Sequence, residues 1–440
     1  MQHKIVIAIL GSLGDLHPFL ALGRALASRN VRVLLAGAAE YREKTERAGL
    51  EFHPMSPSFA QLERLQGERE AAFVRAMLLD REFILREIVI PHARSAYEDL
   101  LPVVAGADCV VVSSLAFGAR FAAERQGVPW VPITLQPFMF VSAYDPPAIP
   151  EAPRLSALLP HLPRPLRAAL LALVKRATRP LIEPLEALRV ELGLARGARA
   201  TLFEDTFRPA GTIALYSPIL GAVEPDFPAG TVIAGFAPFD SEDGGSIELE
   251  PELESFLEAG APPWVFTLGS VLVREPGNFF RESCAAARAC GRRAVLLVGA
   301  QGLETARAEL AASDVFVGAY APYSLLFPRA AVVVHHGGIG TLGQALRAGR
   351  PQLIVPHFVD QPDNAARAAR LGVARVLSPA HYRRDRVMRA LGALESEPAT
   401  ARRVGAARAA LLEEDGAAAA AGLILARLQE RTLREADEIV

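Results

Sequence analysis

The richest chemistry in this sequence lies in AVVVHHGGIGTLGQALRAGRP (331–351), where an apolar run of strand character meets His335 and His336, then glycines, then a helix-like segment. That order builds a phosphate site. Free backbone N–H groups at a helix start point at the ligand, the macrodipole favours negative charge, and glycines let the backbone approach closely. His336 and Thr341 add side-chain donors. A metal held by His335 and His336 is the weaker reading, because neighbouring strand residues point to opposite faces and cannot easily share one ion. One of the two histidines is therefore expected to be structural. Gly338, Gly340 and Gly343 also satisfy GxGxxG, the dinucleotide fingerprint, which keeps an NAD(P)-dependent oxidoreductase as an alternative. A dinucleotide fold normally opens with that motif, whereas here it follows the fourth strand-like run of the second half.

The next apolar run ends in PHFVDQPDNAARAARLG (356–372), which sets Asp360 and Gln361 beside the glycine loop. A carboxylate and an amide side by side can hold adjacent hydroxyls. The plainer reading is a helix N-cap. In LQPFMFVSAYDPP (135–147), Phe138, Met139, Phe140 and Tyr144 follow directly on a strand; they form either an apolar pocket wall or ordinary packing, with little to choose between the two.

The elements that must position these residues alternate in type. KIVIAIL (4–10), VRVLLAG (31–37), DCVVVSS (108–114) and WVPI (130–133) read as strands, the first followed by a helix from about Pro18. A second series follows in WVFTL (264–268), RAVLLVG (293–299), DVFVG (314–318), AVVVHH (331–336) and QLIVP (352–356). Apolar runs separated by helical segments predict parallel sheets covered on both faces. Gly11-Ser12 and Gly269-Ser270 each follow the first strand of a half, which predicts two copies of one α/β architecture. Ligands of such sheets bind beyond the carboxyl ends of the strands, so two facing sheets would share a cleft. The resulting scheme is a first domain over 1–220, a linker over 221–250 rich in Pro, Gly and acidic residues, and a second domain over 251–440 whose last helix could pack back on the first. Residues 134–210 read as a helical and Pro-rich cover. Its Arg154, Arg164, Arg167, Lys175, Arg176 and Arg179 face only Glu151, so a peripheral membrane contact is conceivable, although closure of an acceptor pocket is the preferred reading.

Two domains also follow from the length of 440 residues. A net charge of −2 offers no electrostatic footprint for nucleic acid. Cys109, Cys284 and Cys290 form no CxxC pair, and a reducing cytoplasm suits them. The N-terminal apolar run ends in Gly and then Asp15, which reads as a buried strand rather than a signal peptide. No window reaches the roughly 18 apolar residues needed to cross a bilayer.

The stretch from His336 to Gln361 resembles the nucleotide-sugar signature of the family 1 glycosyltransferases, which have the GT-B fold of two facing Rossmann-like domains. The doubled histidine with GGIGT is similar to the bacterial branch that includes glycopeptide and macrolide glycosyltransferases, sterol glucosyltransferases and the rhamnolipid rhamnosyltransferase. GSLGDLHP (11–18), YDPP (144–147) and PDFP (225–228) resemble that branch too. The resemblance implies that Tyr320, in the YAP run with Ala321, stacks on uracil or thymine and that Tyr323 contacts the base edge. It gives Ser270, His336, Gly338, Gly340 and Thr341 to the diphosphate, and Asp360 with Gln361 to the sugar hydroxyls. Gln344 stands where many members carry a ribose-binding Glu, so the preference between UDP and dTDP stays open.

Asp15 aligns with the catalytic base of the family, and His17 is the fallback. A free carboxylate, with a pKa of about 3.9, is a feeble base, so partial desolvation is required. Structurally, Asp15 could instead only cap the helix at Pro18. The implied reaction is inverting and needs no metal or cofactor, with His336 and the helix start taking the place of a cation. Its acceptor would be a hydroxyl of an apolar small molecule or lipid, of natural-product, sterol or hydroxy-fatty acid type. A non-catalytic sugar-nucleotide-binding auxiliary protein is the third alternative.

Overall fold

The computed structural model describes residues 2–66, 77, 80, 82–149, 153–197, 211–241, 244–245 and 247–437. Glu151, the end of the expected cover (198–210) and positions 242, 243 and 246 of the expected linker lie outside the described residues.

The first sheet is built from β1 (Lys4–Ala8), β2 (Arg32–Gly37), β3 (Glu51–Pro54), β4 (Cys109–Ser113), β5 (Trp130–Thr134), β6 (Ile213–Ala214) and β7 (Val232–Ile233), all parallel, in the order β3-β2-β1-β4-β5-β6-β7. The second contains β8 (Trp264–Thr267), β9 (Ala294–Leu297), β10 (Val315–Gly318), β11 (Val332–His335), β12 (Gln352–Ile354) and β13 (Ala374–Val376) in the order β10-β9-β8-β11-β12-β13. Counted from its own first strand, each sheet begins with the doubly wound order 3-2-1-4-5-6, and the first adds β7 at its edge. The central strands are buried along their whole length, as β4, β8 and β11 show, because helices cover both faces. The strand order reverses between β1 and β4 and again between β8 and β11, the switch points outside which ligands of such sheets bind.

Four strands escape the sequence reading: β3, β6, β7 and β13. They are two to four residues long and carry residues such as Glu51, Pro54 and Arg375 that break the apolar run. β7 lies inside the stretch expected to be linker and closes the edge of the first sheet.

Helix α1 (Leu13–Ala27) starts five positions earlier than expected, with Pro18 inside it. The cover contains α2 (Arg164–Ala177) and α3 (Arg179–Glu191). In the second half, α4 (Gly269–Leu272) follows β8, α5 (Tyr323–Leu326) follows β10, α6 (Ile339–Arg347) follows β11 and α7 (Gln361–Arg370) follows β12. The last helix, α8 (Gly416–Asp437), returns to α1: Arg29 Nη2 donates to the Ala418 carbonyl at 3.2 Å, and Ala420, Ala421, Ile424 and Leu428 share an apolar cluster with Leu16 and Leu20. Ile339 and Leu342 of α6 belong to the same cluster, so the helices after the two central strands lie against each other.

Candidate active site

Each histidine after β11 has its own environment. His335 is fully buried; its Nδ1 accepts the Gly337 N–H at 3.0 Å, which leaves Nε2–H to donate to Gln352 Oε1 at 2.8 Å. It is the structural one. The His336 ring stands nearly perpendicular to it, with centroids 6.4 Å apart. Two glycines flank that ring: a Cβ on Gly269 would fall 2.6 Å from Cε1, and one on Gly338 would fall 2.5 Å from Nε2. Any other residue at either position would push the imidazole aside. Buried Nδ1 of His336 has no hydrogen-bond partner among the described residues. Burial, helped by His335 and His357, pushes the ring down to about 3, so it is neutral at neutral pH. His336 therefore offers a hydrogen bond and no positive charge.

The three glycines of GIGTLG do different work. Gly338 makes room for His336 and is the N-cap of α6, where no side chain satisfies the free N–H groups. A Cβ on Gly340 would meet nothing within 4 Å, so that side of the helix start is open to a ligand. Gly343 admits the Phe236 ring, which would lie 2.3 Å from its Cβ. The last position is a packing site between the helix and the interdomain segment. Thr341 and Gln344 are buried behind the loop, while Ser270 on α4 is exposed.

Tyr320 and Tyr323 are 6.3 Å apart at 30°. Tyr323 shares a hydrogen bond with Thr267 Oγ1 at 2.9 Å and stacks on Phe327 at 4.3 Å. Its phenol is pushed up to about 12 by burial. This hydroxyl is already engaged with Thr267, and the ring stacks toward Tyr320. The Tyr320 hydroxyl donates to Asp240 Oδ1 at 3.0 Å, and Asp240 also accepts the Ser324 N–H at the start of α5. Ala321 is buried between the two tyrosines in sequence. Asp240 was not foreseen, since an acidic residue in an acidic linker carries no signal.

Asp360 is no helix cap by its side chain. Its Oδ2 accepts from Asn364 Nδ2 at 2.6 Å, and that amide also donates to the Gly337 carbonyl at 3.0 Å, tying the carboxylate to the glycine loop. Gln361 Oε1 accepts the N–H groups of His357 (2.8 Å) and Phe358 (3.3 Å), which leaves its amide nitrogen to offer. Just before the pair, Val359 has φ 55, a left-handed conformation that costs a β-branched residue about 1–3 kcal/mol. Burial above all, with Asp15 and Asp363 adding to it, pushes Asp360 up to about 7.

A carboxyl raised in the folded state binds more protons there than in the unfolded chain, so stability falls as pH rises from about 4 through the folded value. We expect Asp360→Asn to flatten the decline in melting temperature of the ligand-free protein between about pH 5 and about pH 8. Asp15, shifted in the same direction, keeps a residual slope; a variant as steep as the parent counts against a raised Asp360.

In the first half, Asp15 lies in the first turn of α1 and not in a loop. Its Oδ2 accepts from the Ser12 N–H at 2.8 Å and the Ser12 hydroxyl at 3.2 Å, while Ser12 Oγ accepts from Gly14 N–H, so the helix is capped at Ser12 rather than Pro18. Gly11 is required there, because a Cβ would sit 2.2 Å from Asp15 Oδ2. Desolvation raises Asp15 above the usual carboxylate range against the Ser12 hydrogen bonds. The fallback base is differently placed: His17 Nε2 takes a hydrogen bond from Lys44 Nζ at 2.8 Å, and burial, then Lys44, pushes it down to about 3. Its lone pair is occupied.

Among the aromatic residues after β5, Phe140 is core, stacked on Phe227 at 4.0 Å, and is withdrawn from the acceptor wall. Phe138, Met139 and Tyr144 are partly exposed, and the Arg164 guanidinium at the start of α2 lies 4.6 Å over the Tyr144 ring.

Two doubly wound sheets packed through the helices after β1 and β11, with a glycine-flanked imidazole at one and a partly buried, hydrogen-bonded carboxylate at the other, have the architecture of a glycosyltransferase of the GT-B fold. The chain belongs to the glycosyltransferases: residues 5–142 match the glycosyltransferase family 28 N-terminal domain, and residues 297–421 match the erythromycin biosynthesis protein CIII-like C-terminal domain. It is 32% identical to glycosyltransferase GtfE of Amycolatopsis orientalis over 97% of this chain and 98% of that one, and 31% identical to O-mycaminosyltylonolide 6-deoxyallosyltransferase of Streptomyces fradiae over 92% and 94%. Its fold matches the solved structure of CalG4, the calicheamicin glycosyltransferase, with a TM-score of 0.69 at 20% identity over 97% of this chain and 98% of the other. The oxidoreductase and non-catalytic readings of the glycine loop fall with this membership.

Proposed function

We propose that this glycosyltransferase inverts configuration, taking the sugar from a UDP- or dTDP-sugar to a hydroxyl of an apolar acceptor without a metal ion. The observation that carries the donor half is His336, neutral, flanked by Gly269 and Gly338, with a buried Nδ1 that has no partner among the described residues, beside the start of α6, which no side chain caps. A diphosphate leaving toward that point meets oriented N–H donors whose arrangement needs no change during the reaction. Tyr320 and Ala321 would hold the base, Ser270, Gly338, Gly340 and Thr341 the diphosphate, Gln344 the ribose, and Asp360 with Gln361 the sugar. Asp15 accepts the acceptor's hydroxyl proton as that oxygen bonds to the anomeric carbon and the bond to the diphosphate breaks. Two fold relatives, SsfS6 and SpnG, were solved with thymidine diphosphate, which favours testing dTDP first.

UDP or dTDP is expected to raise the melting temperature with no divalent metal added, since a ligand bound only by the native state stabilises it by mass action. Disappearance of the shift on adding chelator would refute the metal-free site.

The acceptor side is read from Phe138, Met139 and Tyr144 beneath the cover. From 153 to 182 the chain has no Asp or Glu, and Leu158, Leu166 and Leu173 are exposed beside Arg164, Arg176 and Arg179. Among the described residues no helix is long and apolar enough to cross a membrane. This surface is suited to an anionic bilayer. Co-sedimentation with vesicles containing an anionic phospholipid, weakened by salt, is the expected result; equal binding to neutral vesicles, or none, would limit the cover to closing the acceptor pocket.

A further inference from the structure

Apart from Tyr144, the motifs YDPP (144–147) and PDFP (225–228) have no part in the chemistry above, yet both fix one loop. Asp226 accepts from Ser142 Oγ at 2.6 Å and from the Ala143 N–H at 2.7 Å, and Ser142 Oγ accepts the N–H groups of Tyr144 (3.0 Å) and Asp145 (3.3 Å). This network follows Val141, which is strained at φ 46. From there Asp145 reaches the second domain, pairing with Arg367 and, at 3.0 Å, with Arg370 Nη1. Arg367 is only 3% exposed; its Nε donates to Asp363 Oδ2 at 2.6 Å and its Nη1 to the Leu220 carbonyl at 2.8 Å. Asp363 Oδ1 in turn accepts the Ala148 N–H at 2.8 Å. Gly221 makes room, since a Cβ there would lie 2.9 Å from Arg367 Nη1.

Arg367 and Asp363 both project from α7, whose first residue is Gln361 and whose N-cap is Asp360. The segment that carries Tyr144 is thus held twice, through Asp145 and through Ala148, to the helix that would present the sugar-reading pair. Buried ion pairs add little net stability relative to apolar packing, but they fix geometry strongly, because neither charge can be left alone. An aligning role suits this one.

We propose that Arg367 is a positioning residue that keeps the acceptor loop in register with Asp360 and Gln361, so that the state of the donor site is felt at residues 142–149. This rests on the donor site proposed above. The test is Asp145→Asn, which removes one charge and leaves Arg367 its bonds to Asp363 and Leu220. In the parent, dTDP or UDP should slow amide hydrogen exchange in 142–149. In the variant that protection should vanish while the nucleotide's thermal shift is kept.

With 4-nitrophenol and whichever of dTDP-glucose or UDP-glucose the parent hydrolyses, the acceptor KM should rise about tenfold and the share of donor lost to water should grow, with donor KM little changed. Arg367→Lys, which keeps the charge and loses the planar fork, should show the same split in milder form; if it does not fold, Asp145→Asn still decides. Full protection of 142–149 in Asp145→Asn, with an unchanged hydrolysed share, would make the cluster a stability element only and overturn the proposal. Failure of the parent itself to bind either nucleotide would instead remove the donor site, and the proposal with it.

Discussion

Replacing Asp15 by Asn is expected to lower turnover of a neutral hydroxyl acceptor by about 10² to 10⁴, the usual contribution of one positioned general base, while nucleotide affinity barely moves. The structure makes this a clean substitution, because the Asn carbonyl can still accept from the Ser12 N–H that Asp15 Oδ2 now binds at 2.8 Å, so α1 keeps its cap. The property removed is basicity, which burial has raised above that of an ordinary carboxylate. A raised base works only above its raised pKa, so the parent's rate should climb with pH on the acid side at values higher than a free carboxyl would give. The variant should lack that limb. A phenol, whose oxygen is already partly ionised, should lose less. Near-parental turnover of an alcohol would leave Asp15 as a capping residue and return the proton to His17, which would first have to release Lys44. Collapse of nucleotide affinity together with turnover would place the α1 loop on the donor.

His336→Ala is expected to weaken donor binding and to slow the chemical step, together by about 10² to 10³ in kcat/KM, the range seen when one oriented donor to a developing oxyanion is removed. The neutral ring supplies a hydrogen bond that strengthens as the diphosphate gains charge, so kcat should fall as well as KM rise. Gly338→Ala is an informative companion. Its Cβ would lie 2.5 Å from the ring's present Nε2, so displacing the imidazole should reproduce much of the loss although the histidine remains. Parental kinetics in His336→Ala would remove the residue from the site; a large loss there with none in Gly338→Ala would show that the ring tolerates displacement.

What the sequence determined by itself was local. Strands such as β1, β4, β8 and β11, buried on both faces, must be continuous apolar runs, and a loop that binds phosphate must have glycine where the backbone is approached, so both were legible in KIVIAIL and HHGGIGT. Short edge strands such as β6 and β7 were not, because two residues carry no period and their pairing is decided by the neighbour they meet. The start of α1 was misplaced because Pro18 looked like a first-turn residue, while the capping box that sets the true start depends on Ser12 and Asp15 folding back on each other. Tertiary structure alone decided how side chains were used. It gave His335 to Gln352 and left His336 Nδ1 without a partner among the described residues, put Phe140 in the core, and occupied His17 with Lys44. It also joined Tyr320 to Asp240 across 80 residues and Arg367 to Asp145 across 222. Hydrophobic period and glycine placement are written in neighbouring residues, but the partner of a polar group and its distance from water are fixed only when remote segments meet, and those two quantities set its charge and its chemistry.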